Sequence, residues 1–302
     1  MQGSSGIMEK ARETRTVIPA FNIPYHPMME PVIRALRETE CFALIAVSRN
    51  EWEKFKAGSP KAVYDLYRQL KDERFTRLHL DHVPVIDEDG LRVDYVPILE
   101  GAIAVGYESV MVDASRLPLS ENIAAVKTIV EMAHSAGIPV EAELGMVFGH
   151  EPGPMPSYEE LYASGRGFTD PYEAKRFVGE TGVDWLSVSV GNIHGAISEA
   201  RNLKKVEARI NIEHLDRIVS ATDRPVVLHG GTGIQRDCLL EAVRHGVCKL
   251  NIATAIRQPY EAAMNSSVAS AQEDVYRMTV SLIRDELDVA GSAHVLNPQD
   301  DA

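Results

Sequence analysis

Cysteine, clusters of basic residues and long apolar runs are all scarce in this sequence. Its 302 residues include three cysteines, Cys41, Cys238 and Cys248, and no Cys-x-x-Cys pair. An odd number of cysteines without such pairs argues against a disulfide framework. It indicates reduced, mostly buried thiols in a cytoplasmic protein. The N-terminal sequence also lacks the apolar stretch of a signal peptide.

The lack of basic clusters limits the partners that the chain can have. The net charge is −13 at pH 7, which argues against nucleic acid or an anionic membrane surface as a main partner. No run of 18 apolar residues exists, so we expect no transmembrane helix. An anionic small molecule could still bind, but only where cationic or N–H groups are concentrated.

What the sequence does contain is a regular alternation of short apolar runs and helical patterns. Apolar residues make up 45% of the chain, and a chain of this length can bury a sizeable core. The apolar runs predict eight strands, at 17–22, 42–48, 77–82, 109–115, 139–145, 185–191, 225–230 and 248–253. The segments between and after them predict helices at 28–39, 60–72, 95–105, 119–136, 171–180, 207–220, 235–245 and 255–287.

This alternation predicts an α/β fold, the TIM (β/α)8 barrel. Eight strand–helix units in about 250 residues are typical of that barrel. A doubly wound open sheet is the alternative, but it usually has fewer strands and a glycine-rich turn after the first one. Here the first strand leads into "FNIPYHP", which contains no glycine. We therefore predict a single TIM-barrel domain over residues 1–302.

Three segments fall outside the regular alternation. Residues 1–16 are expected to form an N-terminal helix or arm, with Ser4 or Ser5 capping a short helix. The stretch 146–171 is rich in glycine and proline, and a loop of this length is usually functional or disordered. We expect a mobile active-site loop there. The polar tail 294–302 is expected to fray.

Polar residues at the strand ends are the candidate site, because TIM-barrel active sites lie at the carboxyl ends of the strands. His82, His194 and His229 follow strands 3, 6 and 7, so the fold would bring them to one mouth. Three neutral imidazoles around an open fourth position form a catalytic zinc site. His79 lies deeper in its strand, where a buried histidine bonded to a neighbour is the better interpretation.

Carboxylates belong to the same mouth, on strands 3, 4 and 5. Asp81, Asp113, Glu141 and Glu143 could supply general acid/base groups and partners for metal ligands. Glu141 and Glu143 alternate with Ala142, so they share one strand face. Two buried carboxylates require partners.

A glycine-rich stretch follows strand 7. It reads "HGGTGI" over residues 229–234, and such a loop exposes backbone N–H groups that can bind an anion. Phosphate sites in TIM barrels often lie after strands 7 and 8. Thr232 and Thr254 add hydroxyl donors, so the same mouth has a candidate phosphate site.

These motifs together resemble the class II, metal-dependent ketose-bisphosphate aldolases, the fructose- and tagatose-bisphosphate aldolases. The similarity covers nearly the whole chain, and the motifs match in order, spacing and identity. They are "IPAFN" at 18–22, "LHLDH", "SVMVDAS", "VEAELG", "FTDP", "TGVDWLSVSVGNIHG", "PVVLHGGTG", "KLNIAT" and "VAGSA" at 289–293.

The resemblance implies a TIM barrel assembled as a homodimer or homotetramer, with a sugar phosphate as its small-molecule partner. It implies zinc bound by His82, His194 and His229. Asp113 and Glu143 would lie near the metal or hold it in an alternative position. A monovalent cation, Na+ or K+, is common beside the substrate phosphate in this family.

For the reaction, the resemblance implies cleavage of a ketose between C3 and C4, with zinc as the Lewis acid and no lysine Schiff base. Asp81 would exchange a proton with the C4 hydroxyl, and Glu151 on the irregular loop would handle the proton at C3. The implied substrate-binding residues are Asn22, Ser48, Gly195, Gly230, Thr232, Asn251, Ala253 and Thr254.

The sequence departs from the family pattern mainly at the far end of the substrate. Counting back from "VAGSA", Ala269 stands where these aldolases usually carry an arginine that binds the distal phosphate. "SRNEW" and "SRLP" introduce Arg49 and Arg116, and "GNIHG" replaces "GTAHG". Arg49, Arg116 or Arg277 could bind a distal group instead, or the aldehyde half carries no phosphate.

Three functions follow as hypotheses. The first is a zinc-dependent aldolase that cleaves a ketose 1-phosphate, of the fructose- or tagatose-1,6-bisphosphate type, to dihydroxyacetone phosphate and an aldehyde. The second keeps this chemistry on a deoxy-, sulfo- or acid-sugar phosphate without the distal phosphate. The third is a non-catalytic barrel that binds sugar phosphates, against which the complete set of candidate ligands argues.

The stretch "RLHLDHV" at 77–83 poses a geometric problem. Strand alternation places His79 and Asp81 on one face and His82 on the other, yet the resemblance selects the neighbours Asp81 and His82. We expect the strand to end at His82 and the chain to turn at Val83–Pro84. Both neighbours could then lean over the mouth.

Overall fold

The eight strands of the computed structural model, which describes residues 2–148, 156–194 and 208–299, form a closed parallel barrel in sequence order. The first strand pairs with the second and with the eighth. This is the predicted TIM barrel. The strands are β1 Ile18–Asn22, β2 Ala43–Ser48, β3 Thr76–Pro84, β4 Ser109–Asp113, β5 Val140–Leu144, β6 Trp185–Val188, β7 Val226–Leu228 and β8 Val247–Ile252.

Helices alternate with the strands and cover the barrel. Those before β5 are α1 Ser4–Thr14, α2 Met29–Thr39, α3 Arg49–Lys54, α4 Pro60–Leu70, α5 Tyr95–Val105 and α6 Leu119–Ser135. Those after it are α7 Tyr158–Ser164, α8 Pro171–Thr181, α9 Ile212–Thr222, α10 Arg236–Arg244, α11 Thr254–Ala263, α12 Val268–Ser281 and α13 Ser292–Leu296. A 3₁₀ turn, His26–Met28, precedes α2, and a π-helical turn, Leu282–Glu286, extends α12. Across the described ranges, none of these helices combines the length and the apolarity that a membrane span requires.

The apolar pattern of the sequence explains both the inner barrel of strands and the outer layer of helices. Strands of a parallel barrel are buried on both faces, and every residue of β2 is buried. The surrounding helices bury one stripe each. In α2, Met29, Val32, Ile33 and Leu36 are buried, which is the i, i+3, i+4, i+7 spacing of an amphipathic helix.

Three short helices, α3, α7 and α13, lie where the sequence predicts none, and the first two begin at a capping box. In α3, the side chain of Glu51 at position N3 reaches back to Ser48, the N-cap residue. In α7, Glu160 does the same to Ser157. Reciprocal bonds of this kind satisfy helix N–H groups that otherwise have no partner. The predicted irregular stretch 146–171 therefore contains a helix.

The two ends of the described chain differ from prediction. Helix α1 begins at Ser4 with Gly3 at its N-cap, so neither Ser4 nor Ser5 is the cap. The sequence predicts a frayed tail over 294–302, whereas residues 294–296 lie in α13. Leu296 and the following Asn297 are buried. The Asn297 amide donates to the carbonyl oxygens of residues 73 and 74, which anchors the tail before β3.

Candidate functional site

An irregularity in β3 brings two neighbouring residues to the mouth of the barrel. The pairing of β3 with β4 shifts between Leu80 and Val83, so Asp81 and His82 together oppose one residue. His82 has a positive φ of 30°, which is uncommon for a residue with a side chain. This is a β-bulge, a feature that re-aims side chains.

The bulge corrects our explanation for these neighbours. The strand does not end at His82, because Val83 and Pro84 continue the ladder opposite Val112 and Asp113. The left-handed backbone of His82 reverses the strand alternation locally. Asp81 stays inside the barrel at 2% exposure, whereas the imidazole of His82 joins the histidines at the mouth.

Three histidines meet at this mouth: His82, His194 and His229, here called the histidine triplet. The ring centroids of His82 and His229 are 4.3 Å apart. Those of His82 and His194 are 5.5 Å apart, and those of His194 and His229 are 6.3 Å apart. Donor atoms of Asp81, His82 and His229 all lie within 4.8 Å of one another. The structure thus brings together the predicted metal ligands, with Asp81 beside them.

Carboxylates orient two of these imidazoles. Nδ1 of His82 lies 3.3 Å from Oδ2 of Asp113, and Nε2 of His229 lies 2.7 Å from Oε1 of Glu141. Nε2 of His82 is buried and has no hydrogen-bond partner among the described residues. Metal-binding histidines typically have this arrangement, with one nitrogen bonded to a carboxylate and the other available.

The charge at the mouth favours a cation. Burial lowers the pKa of His82, but the charges of Asp81, Asp113 and Glu143 outweigh burial and raise that pKa to about 10. Glu143 is itself buried and accepts a hydrogen bond from Ser187 Oγ at 3.1 Å. Burial and the nearby charge of Asp113 raise the pKa of Glu143 to about 8. Positive charge beside His82 is therefore electrostatically stabilised.

Deeper in the barrel lies a second polar group, here called the inner layer: His79, Glu141 and Lys249. Nζ of Lys249 lies 2.7 Å from Oε2 of Glu141, and both side chains are fully buried. Burial raises the pKa of Glu141, but Lys249 and His229 outweigh it and lower that pKa to about 2. Lys249 is thus the partner that the buried glutamate requires.

His79 is bonded to a neighbour, as predicted. Its Nδ1 lies 2.9 Å from Ser109 Oγ, and its ring lies beside that of Trp185. Burial, followed by the charge of Lys249, lowers the pKa of His79 to about 3. The imidazole is therefore neutral inside the barrel.

Asp81 is held by two side-chain amides. Nδ2 of Asn22 donates to Oδ2 of Asp81 at 2.8 Å, and Nδ2 of Asn251 donates to Oδ1 at 2.9 Å. Burial raises the pKa of Asp81, but the nearby His82, His229 and Lys249 outweigh it and hold that pKa well below its ordinary value. Asp81 is a fixed carboxylate, one donor to each oxygen.

The glycine-rich stretch connects three strand ends. Gly230 has a φ of 71°, and a Cβ there would lie 2.0 Å from the carbonyl oxygen of Ile193, so only glycine fits. The Gly231 N–H donates to the Asn251 carbonyl oxygen at 3.2 Å, and that donor is unavailable to an anion. Helix α11 begins at Thr254, shortly after Asn251 and the end of β8. A phosphate at this end would meet the N–H groups and the positive dipole end of that helix.

The remaining predicted residues differ in how they are placed. Ser48 ends β2 and is buried, and Ala253 is the N-cap residue of α11. Thr232 lies in the turn after Gly231 and is half-buried. Glu151 and Gly195 lie outside the described residues.

The candidate distal arginines are not grouped. Arg49 lies 3.7 Å from Asp87, and Arg116 is exposed. Arg277 is exposed on α12 and lies 3.3 Å from Glu273, which also pairs with a residue of α2. Arg277 thus lies on the outer helical layer of its own chain and not at the mouth.

The match to known proteins decides the family. Residues 3–292 match the family described as class II fructose-bisphosphate aldolase. This chain belongs to that family. Its reaction class is therefore that of an aldolase, a lyase that performs retro-aldol cleavage.

Solved aldolase structures share the fold over almost their full length. The YdjI aldolase from Escherichia coli K12 superposes with a TM-score of 0.75 at 25% identity, covering 97% of this chain and 100% of that one. A putative fructose-1,6-bisphosphate aldolase from Coccidioides immitis gives 0.75 at 23% identity, covering 96% and 98%. The fructose-bisphosphate aldolase of Campylobacter jejuni gives 0.71 at 17% identity, covering 94% of each chain.

Sequence reasoning about function missed Glu51 and the partners of Glu141. Glu141 is among the predicted carboxylates, but its partners are His229, directly after β7, and Lys249 of β8, which are distant in sequence. Glu51 carried a local signal, the Ser-x-x-Glu spacing of a capping box at 48–51. That signal predicts α3, although it does not predict that Glu51 is buried in the barrel.

Proposed function

We propose that this chain is a zinc-dependent class II aldolase. Its substrate would be a ketose 1-phosphate of the fructose- or tagatose-1,6-bisphosphate type, cleaved to dihydroxyacetone phosphate and an aldehyde. The observation that carries the proposal is the histidine triplet beside the fixed carboxylate of Asp81. In this family that combination provides both a metal site and a proton carrier.

Zinc fits the residues present. His82, His194 and His229 are nitrogen ligands of the kind that catalytic zinc sites use, and Nε2 of His82 is buried without a described partner. Asp113 adds negative charge near these ligands, and Glu143 adds a further carboxyl oxygen. When bound, zinc would act as a Lewis acid that stabilises the negative charge developing on the substrate's carbonyl oxygen.

Asp81 would exchange the proton of the C4 hydroxyl. Its depressed pKa keeps it ionised and ready to accept that proton, and the amides of Asn22 and Asn251 hold one oxygen each. During cleavage the proton moves from the hydroxyl to Asp81, and during condensation it returns. A positioned group of this kind typically contributes about 10²–10⁴-fold to the rate.

The other assignments extend this proposal. Glu151 would handle the proton at C3. Gly195, Gly230, Thr232, Ala253 and Thr254 would bind the phosphate and dihydroxyacetone portion, with Na+ or K+ beside the phosphate. Ser48, the last residue of β2, would also bind the substrate. A homodimer or homotetramer is the assembly we propose.

The second candidate is the same chemistry on a substrate without a distal phosphate. The observation that favours it is the exposed Ala269 near the start of α12, where the family usually has an arginine. Arg277 does not replace that arginine within the chain, because it lies on the outer helical layer. Arg49 and Arg116 remain the candidates for a distal anionic group.

Purified protein tests both candidates. Elemental analysis should find zinc, and a coupled assay should detect dihydroxyacetone phosphate released from a ketose 1-phosphate. A chelator should abolish that release, and added zinc should restore it. Comparing kcat/KM for fructose and tagatose bisphosphates with that for ketose 1-phosphates separates the substrates. Zinc-loaded, folded protein that turns over no ketose phosphate would instead support the non-catalytic barrel.

A further inference from the structure

Glu51 is buried beside the proposed acid/base group, although no step described so far uses it. It belongs to the short helix α3 and is 5% exposed. Its Oε2 accepts a hydrogen bond from the backbone N–H of Ser48 at 2.7 Å and another from Nδ2 of Asn22 at 3.3 Å. The capping box therefore fixes this carboxyl group inside the barrel and not on the surface.

The amide of Asn22 connects Glu51 to Asp81. The same nitrogen donates to Oδ2 of Asp81 at 2.8 Å. Two carboxyl oxygens thus share the two N–H bonds of one amide group. Because both neighbours are acceptors, the amide must turn its NH₂ and not its carbonyl oxygen toward Asp81.

We propose that Glu51 is a positioning residue for Asp81 and acts through the amide of Asn22. The inference rests on the proposed role of Asp81 as the proton carrier. Glu51 occupies "SRNEW", one of the stretches in which this chain departs from the family pattern. It is therefore a feature of this chain's own sequence.

The electrostatic surroundings explain how Glu51 can lie so near another carboxylate. Burial, together with the charge of Asp81, raises the pKa of Glu51 to about 8. Asp81 from β3 and Tyr107 from the segment after α5 are the titratable groups that interact with it. A neutral carboxyl group still has an oxygen that accepts from Asn22 and Ser48. The proposal therefore depends on the length of the Glu51 side chain, which brings its oxygen to Asn22, and not on its charge.

Two substitutions separate reach from charge. Glu51→Gln keeps the side-chain length and an acceptor oxygen, and Gln also serves in a capping box. Glu51→Asp keeps the charge but is one methylene shorter. We expect Glu51→Asp to lower kcat by about tenfold or more, as loss of an orienting partner typically does, with little change in KM. Glu51→Gln should retain most of the wild-type kcat.

A double-mutant cycle with Asn22→Ala tests the path. If Glu51 acts through Asn22, adding Glu51→Asp to Asn22→Ala should cause little further loss of kcat. Fully additive losses in log kcat would show that the two residues act independently, and the proposal would be wrong. Lys54→Gln, on the exposed face of the same helix, is the matched control and should keep wild-type kinetics.

The remaining outcomes are also decisive. A loss of kcat in Glu51→Gln with retention in Glu51→Asp would mean that charge matters, and would overturn the proposal. Circular dichroism and thermal unfolding identify variants that fail to fold. If Glu51→Asp fails to fold, the kcat of Glu51→Gln decides whether the charge of residue 51 is required. Asp81→Asn distinguishes failure of the proposed role of Asp81 from failure of the inference about Glu51. Full turnover in that variant would remove the proposed role of Asp81 as the proton carrier, whereas loss of turnover there with unaffected Glu51 variants would remove only this inference.

Discussion

The barrel contains two polar groups at different depths, and both are built from histidine and carboxylate side chains. In the inner layer, Glu141 has Lys249 as a cationic partner at 2.7 Å, and His79 is fully buried and neutral. In the histidine triplet, His82 is 21% exposed and its ring lies at the mouth, whereas the unbonded Nε2 of His79 lies 3.7 Å from Glu141 and 3.9 Å from Asp81. Strand β3 contributes one histidine to each group, only three residues apart.

The inner layer and the histidine triplet differ in the backbone conformation of their β3 histidines as well as in their depth in the barrel. His79 belongs to the regular part of β3, opposite Ser109, which also bonds its ring. His82 belongs to the bulge, and its positive φ directs the ring to the mouth. Glu141 links the two groups, because one of its oxygens meets Lys249 and the other meets His229. The inner layer therefore supports the site chemically without belonging to it.

The largest effect is expected from His82→Ala. Lewis-acid stabilisation is worth several kcal/mol, and each factor of ten in rate corresponds to about 1.4 kcal/mol, so kcat should fall by about 10³-fold or more. Zinc content, measured by elemental analysis, should fall with it. His134→Ala, at an exposed histidine of α6, is the control. Zinc and turnover that survive His82→Ala would contradict the assignment of the triplet.

Asp81→Asn should have the next largest effect, with a different signature. Proton transfer to Asp81 would be lost, which typically costs about 10²–10⁴-fold in kcat, while zinc content should remain that of the wild type. Elemental analysis and steady-state kinetics on one preparation separate these readouts. Loss of zinc together with turnover would instead assign Asp81 to the metal site.

Lys249→Met tests whether the inner layer supports the triplet. Removing one partner of a buried ion pair leaves an uncompensated charge and costs about 3–5 kcal/mol of unfolding free energy. Because Glu141 also orients His229, zinc affinity should weaken by about 10–100-fold. Denaturant titration of metal-free protein and competition with a zinc chelator measure the two effects.

The double variant Lys249→Met/Glu141→Gln provides the control for this substitution. A neutral amide at residue 141 requires no cationic partner, so part of the lost stability should return. Zinc affinity should stay low, since the carboxylate beside His229 is absent. If the double variant were as unstable as the single one, the cost would come from packing and not from the unpaired charge.

Much of this architecture could be predicted from local sequence. Parallel strands are buried on both faces, so each of the eight appears as a short apolar run, and the observed strands lie within or close to those runs. The helices between them follow from amphipathic spacing. The helices α3 and α7 carried capping boxes, "SRNE" and "SYEE", which a scan for Ser-x-x-Glu would have found.

The rest of the site depends on tertiary contacts. A positive φ at a histidine has no local sequence signature, since it depends on the surrounding structure. The bulge at Asp81–His82 was therefore not predictable, although the convergence of both residues on the mouth was expected from the resemblance. Likewise, Lys249 pairs with Glu141 only because closure of the barrel brings side chains of β8 and β5 together in its interior.

The smallest effect on turnover is expected from His79→Gln, which tests the inner layer from the other side. Zinc content and kcat should stay near wild-type values, because the hydrogen bond of His79 is to Ser109, and its Nε2 lies beyond hydrogen-bond distance of Asp81 and Glu141, at 3.9 and 3.7 Å. Stability should fall by about 1–3 kcal/mol, the cost of leaving a buried hydroxyl without its partner. Zinc loss in this variant would show that the two layers cannot be separated.

The pH dependence of that stability difference distinguishes a buried neutral imidazole from a simple packing residue. Burial lowers the pKa of His79 to about 3 from its ordinary 6.5, so in this interval the unfolded chain binds a proton that the folded chain does not. The contribution of His79 is then complete above pH 6.5 and declines as pH falls toward 3, by at most about 1.4 kcal/mol per pH unit. Glutamine does not titrate, so the stability gap between wild type and His79→Gln should shrink on acidification. Urea unfolding of both metal-free proteins at pH 7.5 and pH 5 measures the gap, and a constant gap would mean that His79 is not held neutral by burial.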